Sequence, residues 1–281
     1  MLGASFLFAT MGVCVKLASA HYGAGEIVMY RSLIGALALF ALARWRGASL
    51  RTPVPHLHVG RSAAGVAALV LWFHALGALP LATAMTLNYM SPVWMAVFLV
   101  AAAAWTGGRR VDPRLVAAVA VGFAGVVLVL RPAVEQQQLW PGLAGLLSGM
   151  LSALAYLQVA ALGRAGEPDY RIVFYFSLGG VVAGLVFALP AGLHGHSGTG
   201  AALLLAVGVL ATAAQLMLTR AYAIGRTLSN ATLHYAGIGF AFLYGALLFG
   251  ERITPLAAAG ILLIAAAGLA ATLLRTRATA R

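Results

Sequence analysis

Apolar runs of about twenty residues follow one another along this chain, separated by short polar turns, and about 20 apolar residues is the length a helix needs to cross a bilayer. The pattern predicts ten spans. Span 1 runs from about Leu2 to Ala20, span 2 from about Glu26 to Ala43, span 3 from about Ser62 to Leu79 and span 4 from about Leu81 to Ala104. Span 5 follows Asp112-Pro113, an N-cap with a first-turn proline, and ends near Leu130. Spans 6 to 10 are about Gly142 to Gly163, Arg171 to Leu189, Ala201 to Tyr222, Thr227 to Phe249 and Pro255 to Leu274. The runs are continuous rather than alternating, which excludes a β-barrel. The expected fold is an all-α membrane protein.

One polar patch interrupts the pattern. Asn88-Tyr89-Met90-Ser91-Pro92 lies inside span 4. Pro92 lacks an N–H and clashes one turn back, so the helix should bend there and free a carbonyl. In lipid, freed backbone persists only against protein or a water-filled cavity. The pattern returns 146 residues later, where Thr86-Leu87-Asn88-Tyr89 becomes Thr232-Leu233-His234-Tyr235 and the break is expected at Gly237 and Gly239. Ile27-Val28-Met29-Tyr30-Arg31-Ser32-Leu33-Ile34-Gly35 likewise matches Ile172-Val173-Phe174-Tyr175-Phe176-Ser177-Leu178-Gly179-Gly180 at an offset of 145. Spans 1–5 thus map onto spans 6–10. A unit with an odd number of spans places its second copy upside down, so the chain reads as two inverted repeats, residues 1–131 and 142–274, with a linker over 132–141 and a basic tail over 275–281.

Composition sharpens this picture. Of 281 residues, 62% are hydrophobic and only 9% charged, which leaves no stretch for a soluble domain. The net charge of +12 could signal nucleic acid in a soluble protein. Here the arginines fall between apolar runs. Fourteen of the eighteen basic residues lie on one side of the predicted topology, Arg61 among them, and two, Arg131 and Arg252, on the other. The positive-inside rule then puts both termini in the cytoplasm. Arginine dominates the basic residues in an Ala- and Gly-rich chain, a composition of GC-rich bacterial genomes, so the expected location is a bacterial inner membrane. Met1 leads into an apolar run with no basic n-region, and Lys16 stands where a cleavage site would fall, so no cleavable signal peptide is expected; span 1 starts abruptly, as if the natural chain began upstream. Cys14 is the single cysteine, which excludes an intrachain disulfide or a cysteine metal cluster.

Lys16 near the end of span 1, Tyr30-Arg31 in span 2, Ala75-Leu76 through Leu79-Pro80-Leu81-Ala82 and then Pro92, and Gly250-Glu251-Arg252-Ile253-Thr254-Pro255 followed by Gly260 and Gly268 resemble the ten-span, EamA-type members of the drug/metabolite transporter superfamily. The first-half counterpart of Gly250-Glu251 reads Trp105-Thr106-Gly107-Gly108, without the acid. The resemblance implies transport of small metabolites, often export of amino acids or related compounds. It also implies a central cavity lined by spans 1, 3 and 4 and their mirror images 6, 8 and 9.

Asn88 and His234 are the leading candidates for binding substrate, since each stands beside a predicted break, about seven residues into its span and so roughly 10–11 Å deep. The plainer alternative is a helix–helix hydrogen bond, worth ~0.6 kcal/mol on average. Tyr89 and Tyr235 are gates or packing. Trp72, His74, Tyr156, Gln158 and Gln215 lie in spans that the family uses for its cavity, with interhelical bonds as the alternative. Lys16, Arg31 and His74 are expected at similar depth near the outer surface. Only Glu26 is close in sequence, so these groups would border an outward-opening cavity that favours negative charge. Arg31 can hold a carboxylate with two parallel hydrogen bonds; the alternative is an Arg31–Glu26 pair that pins spans 1 and 2. Gly145/Gly149 and Gly180/Gly184 are either dimer faces or close packing within the bundle. The oligomeric state is left open.

No HExxH, no pair of intramembrane aspartates and no phosphate-binding loop is present, so a membrane-embedded enzyme is the lesser reading and ATP does not drive the protein directly. No charged ring or carbonyl filter marks a channel. No cofactor or metal is called for, and the expected partners are a small-molecule substrate, the lipid bilayer and protons. The expected function is export of a small polar metabolite by alternating access, with an importer or exchanger as the alternative. If protons drive it, coupling falls to His234, beside the break and titrating near physiological pH as histidines do, with Glu26 as the second choice; exchange without a proton is the alternative.

Overall fold

The computed structural model describes residues 1–105, 113–135, 138–223, 227–252 and 254–279. Among the described residues, all regular structure is α-helical: α1 (Leu2–Ala18), α2 (Ala24–Trp45), α3 (Pro55–Ala78), α4 (Leu81–Asn88), α5 (Ser91–Trp105), α6 (Pro113–Glu135), α7 (Leu139–Arg164), α8 (Asp169–Ala191), α9 (Gly198–Ala223), α10 (Thr227–Phe249) and α11 (Pro255–Thr279). Among the described residues, six stretches are long and apolar enough to cross a membrane: α2, α3, Leu81–Ala102 across the α4–α5 junction, α7, α8 and α9. Shorter apolar helical stretches are Leu2–Ala18, Val116–Val129, Leu233–Phe249 and Pro255–Ala270. Leu37, Val182, Phe187, Leu247 and Leu262 face outward, whereas Glu26, Arg31, Arg61, Asn88 and His234 are buried. An apolar exterior around a polar interior is the arrangement a bilayer imposes.

The most extensive helix contacts are α2 with α8, α6 with α11, α3 with α7 and α1 with α9. α10 lies on α1 and α4. Small residues permit these approaches. A Cβ at Gly35 would meet Ser177, and one at Gly180 would meet Ser32, so α2 and α8 grip each other through reciprocal glycine–serine contacts. Gly184 faces Met29, while Gly145 and Gly149 face Leu87 and Asn88. Both small-residue pairs singled out in the sequence therefore pack inside the bundle.

The chain leaves helical geometry at Tyr89-Met90, just before Pro92. The Met90 carbonyl accepts from Val93 and Trp94 and starts α5. The Leu87 and Asn88 carbonyls at this break face Gly149 of α7, where an added Cβ would come within 2.5 and 3.0 Å of them. The expected second break is not formed. α10 runs unbroken through Gly237 and Gly239, because glycine keeps the N–H that proline lacks and the i→i−4 bond survives. The linker also shrinks: α6 continues through Pro132 to Glu135 and α7 begins at Leu139. The predicted turn over residues 106–112, with Arg109, Arg110 and the Asp112 cap, lies outside the described residues, as do Arg226, Ile253 and Arg281.

Candidate functional site

A cavity of about 50 Å³ opens at the centre of the bundle. Its wall includes Phe8 and Met11 from α1, Arg31 from α2, Arg61 and Trp72 from α3, Asn88 with Tyr89 from the break, Ser152 and Tyr156 from α7, Phe176 from α8, Gln215 from α9 and His234 from α10. Arg31, Trp72, Asn88, Tyr89, Tyr156, Gln215 and His234 thus come together here, as expected from the sequence. Three expected residues do not. His74 is exposed on the outer side of α3. Gln158 lies against Gly60. The Tyr235 hydroxyl packs on α11 at Gly268.

Part of the cavity lining is aromatic. The Tyr89 and His234 rings lie 4.0 Å apart at 33°. Tyr156 meets His234 edge-on at 6.1 Å and stacks on Tyr222 at 4.8 Å. Gly237 makes room for the Tyr89 ring, which is the role this glycine has in place of a break. Asn88 Nδ2 donates to Ser148 Oγ at 3.0 Å and to Ser152 Oγ at 3.3 Å, so it both lines the cavity and ties α4 to α7. The Tyr89 hydroxyl, the Trp72 indole N–H and both ring nitrogens of His234 are buried without a hydrogen-bond partner among the described residues.

The lining also carries two cations. Arg31 and Arg61 are both buried, 4% and 3% exposed. Their guanidinium carbons lie 5.1 and 4.2 Å from the centroid of the Phe176 ring. Such contacts are worth up to about 2 kcal/mol when desolvated, but they do not neutralise charge. The two guanidinium carbons can be no farther apart than these two distances combined. At an effective dielectric of ~20, like charges so placed repel by at least about 2 kcal/mol. No described carboxylate pairs with either arginine, and Nε and one terminal nitrogen of each lack a hydrogen-bond partner. The sequence reading placed Arg61 in the basic loop between spans 2 and 3, because it sits just before the apolar run. α3 begins at Pro55 and carries it inward instead. Gly65, one turn on, leaves the space into which the Arg61 guanidinium folds. Phe176 was legible only as the uncharged mirror position of Arg31.

The other charged residues serve contacts away from the cavity. Glu26 does not pair with Arg31: it holds His194, accepting from its backbone N–H at 3.2 Å and lying 2.8 Å from Nδ1. Lys16 pairs with Glu251 at 3.0 Å and donates to the Leu79 carbonyl at 2.6 Å. The outer cluster of Lys16, Arg31 and His74 is therefore not assembled. Glu251 also accepts the Leu81 amide on both oxygens, at 3.0 and 2.8 Å. It follows Gly250, whose φ of 60° ends α10, and its own amide returns to the Gly245 carbonyl. The α7–α8 turn repeats this device. Gly166, with φ of 78°, ends α7, the Glu167 amide returns to Leu162, and the Glu167 carboxylate takes Thr52, His58 and Arg171. Burial pushes that carboxyl up, but the bonds from Thr52, His58 and Arg171 outweigh it and hold Glu167 below the usual carboxylate value.

A buried polar cavity inside a lipid-facing helical bundle defines the class: a membrane transporter. Residues 1–131 match the EamA-like transporter family. A protein of Pseudomonas aeruginosa named "Pseudopaline exporter CntI" is 35% identical over 276 residues, 95% of this chain and 92% of that one. A "Riboflavin transporter" of Rhizobium johnstonii is 31% identical over 63% of this chain and 56% of its own length. A crystal structure at 21% sequence identity superimposes with a TM-score of 0.68 over 97% of this chain and 96% of that one, a likeness of fold. The chain belongs to the EamA-like transporter family of the drug/metabolite transporter superfamily, and it is a transporter rather than an enzyme.

Proposed function

We propose that this protein is a secondary transporter that exports a small polar metabolite bearing a carboxylate, by alternating access, across a bacterial inner membrane. The observation that carries the reading is the pair of buried arginines facing the cavity with no carboxylate among the described residues to meet them. A buried cation without a partner is costly, and an anionic group entering the cavity would remove that cost. The names of the relatives, a pseudopaline exporter and a riboflavin transporter, support a small-metabolite cargo, and the first supports export. All come from bacteria.

We read the bundle as ten spans, with α4 and α5 forming one, arranged as two inverted five-helix repeats with both termini cytoplasmic. The contacts support this. Gly35–Ser177 and Gly180–Ser32 exchange under an offset of 145. So do two loop contacts: Glu26 with His194 corresponds to Arg171 with the Ser49 carbonyl. α1 packs on α9 and α10, and α7 on α3 and on α4 with α5, as the same exchange requires. In this topology Glu251 and Glu167 tie the bundle at opposite membrane faces, where alternate opening needs releasable contacts. Proton coupling, if the transport is proton-linked, falls to His234, since Glu26 is engaged by His194.

Reconstitution tests the function. Proteoliposomes preloaded with a cell extract should exchange labelled carboxylate metabolites in saturable counterflow, and Arg31→Gln should abolish it while the protein remains monodisperse in detergent. Non-saturable flux would identify a channel, and counterflow unaffected by Arg31→Gln would remove the arginine from the site.

A further inference from the structure

We propose that Arg31 and Arg61 form a two-point anion site that selects a substrate carrying two carboxylates on a short spacer. This rests on the transport reading above and narrows its substrate class. The guanidinium groups come from different helices, α2 and α3, and meet the same ring of Phe176 on α8 at 5.1 and 4.2 Å. Both are more than nine-tenths buried and both border the cavity. Neither has a carboxylate or hydrogen-bond partner among the described residues, whereas Glu26, Glu167 and Glu251 are all taken up by other groups.

A substrate with one carboxylate satisfies one guanidinium and leaves the second buried and unpaired. A substrate with two satisfies both and removes their mutual repulsion. Each guanidinium presents a planar fork that holds a carboxylate through two parallel hydrogen bonds. The Phe176 ring, in reach of both forks, would give the methylene spacer an apolar face. Gly65 completes the arrangement by letting Arg61 lie forward along its own helix. In the same cavity the unpartnered Tyr89 hydroxyl and His234 nitrogens would take the uncharged polar groups of the molecule.

Thermal stability of the purified protein in detergent tests this with succinate and glutarate against butyrate and valerate, at equal concentration, pH and ionic strength. The dicarboxylates should raise the midpoint and the monocarboxylates should raise it much less. Arg31→Gln and Arg61→Gln, checked for folding by size exclusion, should each lose the preference and respond alike to both classes. Arg61→Lys keeps the charge without the fork and should retain a weakened preference. Equal shifts by mono- and dicarboxylates, no shift with either, or a preference that survives in both Gln variants would overturn the two-point site. Counterflow separates the two readings: saturable exchange of monocarboxylates with no dicarboxylate advantage leaves the transporter reading standing and removes only this inference.

Discussion

Lys16 of α1 and Glu251 after α10 meet at 3.0 Å, and this ion pair fastens the start of α4 to both helices through the Leu81 amide. Glu251→Ala would leave the part-buried Leu81 N–H without its acceptor and the Lys16 ammonium with only the Leu79 carbonyl, at a cost of about 2 kcal/mol. Lys16→Met alone should cost less, since Leu81 keeps Glu251. A double-mutant cycle on thermal midpoints should show coupling between the two positions. Additive effects would mean that the 3.0 Å contact contributes nothing on its own.

Glu167 gives the protein an acid limb. Its folded value is held below the ordinary carboxylate value of 4.5. The stability it contributes is therefore complete above about pH 4.5 and is lost as the pH falls through the lowered folded value. Denaturation midpoints followed from pH 7 downward should drop along this limb in the wild type. Glu167→Gln should start lower and fall less steeply.

The two glycines near the repeat-related positions 88 and 234 should respond oppositely to alanine. Gly149→Ala drives a Cβ into the fixed Leu87 and Asn88 carbonyls at the break, an overpacking that costs roughly 1–3 kcal/mol. Gly239 is exposed, in a continuous helix, with nothing within 4 Å of an added Cβ. Gly239→Ala should therefore be neutral or stabilise by ~0.5–1 kcal/mol. Melting curves of the two variants decide it; equal losses would mean that α10 needs flexibility at 239.

Topology is open to chemical labelling. Ser49 and Ser197 are both exposed, in the α2–α3 and α8–α9 connections. In a Cys14→Ala background, a cysteine at 197 should react with an impermeant thiol reagent added to whole cells, and one at 49 should react only after lysis. The reverse pattern would invert the orientation.

If transport is proton-linked, His234→Gln should flatten its pH dependence, and Glu26→Gln should not, because Glu26 lies in a contact with His194 away from the cavity. A full pH dependence in His234→Gln would exclude His234 as the proton carrier.

The helices and their faces were legible because lipid demands long apolar runs, and a proline inside one has few places to go. Asn88, Tyr89 and His234 could be found because a polar residue beside Pro92, or at its mirror position, stands out against Leu and Ala. Arg61 could not. At the edge of an apolar run an arginine reads as a loop cation, and only the start of α3 at Pro55 shows that it lies inside. The ion pairs were illegible for a related reason: Glu26, Glu251 and Lys16 have few neighbours of opposite charge in sequence, and their partners come from turns far along the chain. Gly237 was misread because a glycine that makes room for the Tyr89 ring leaves the same trace as one that breaks a helix.

The central cavity measures about 50 Å³. A single water needs only about 10–15 Å³ of such a cavity, so a few fit, and a cluster of that size cannot bridge a hydrocarbon layer of about 30 Å. A pocket of that size gives protons no continuous water path across the layer. Vesicles holding it in this conformation, with no cargo, should keep an imposed proton gradient as long as vesicles of lipid alone.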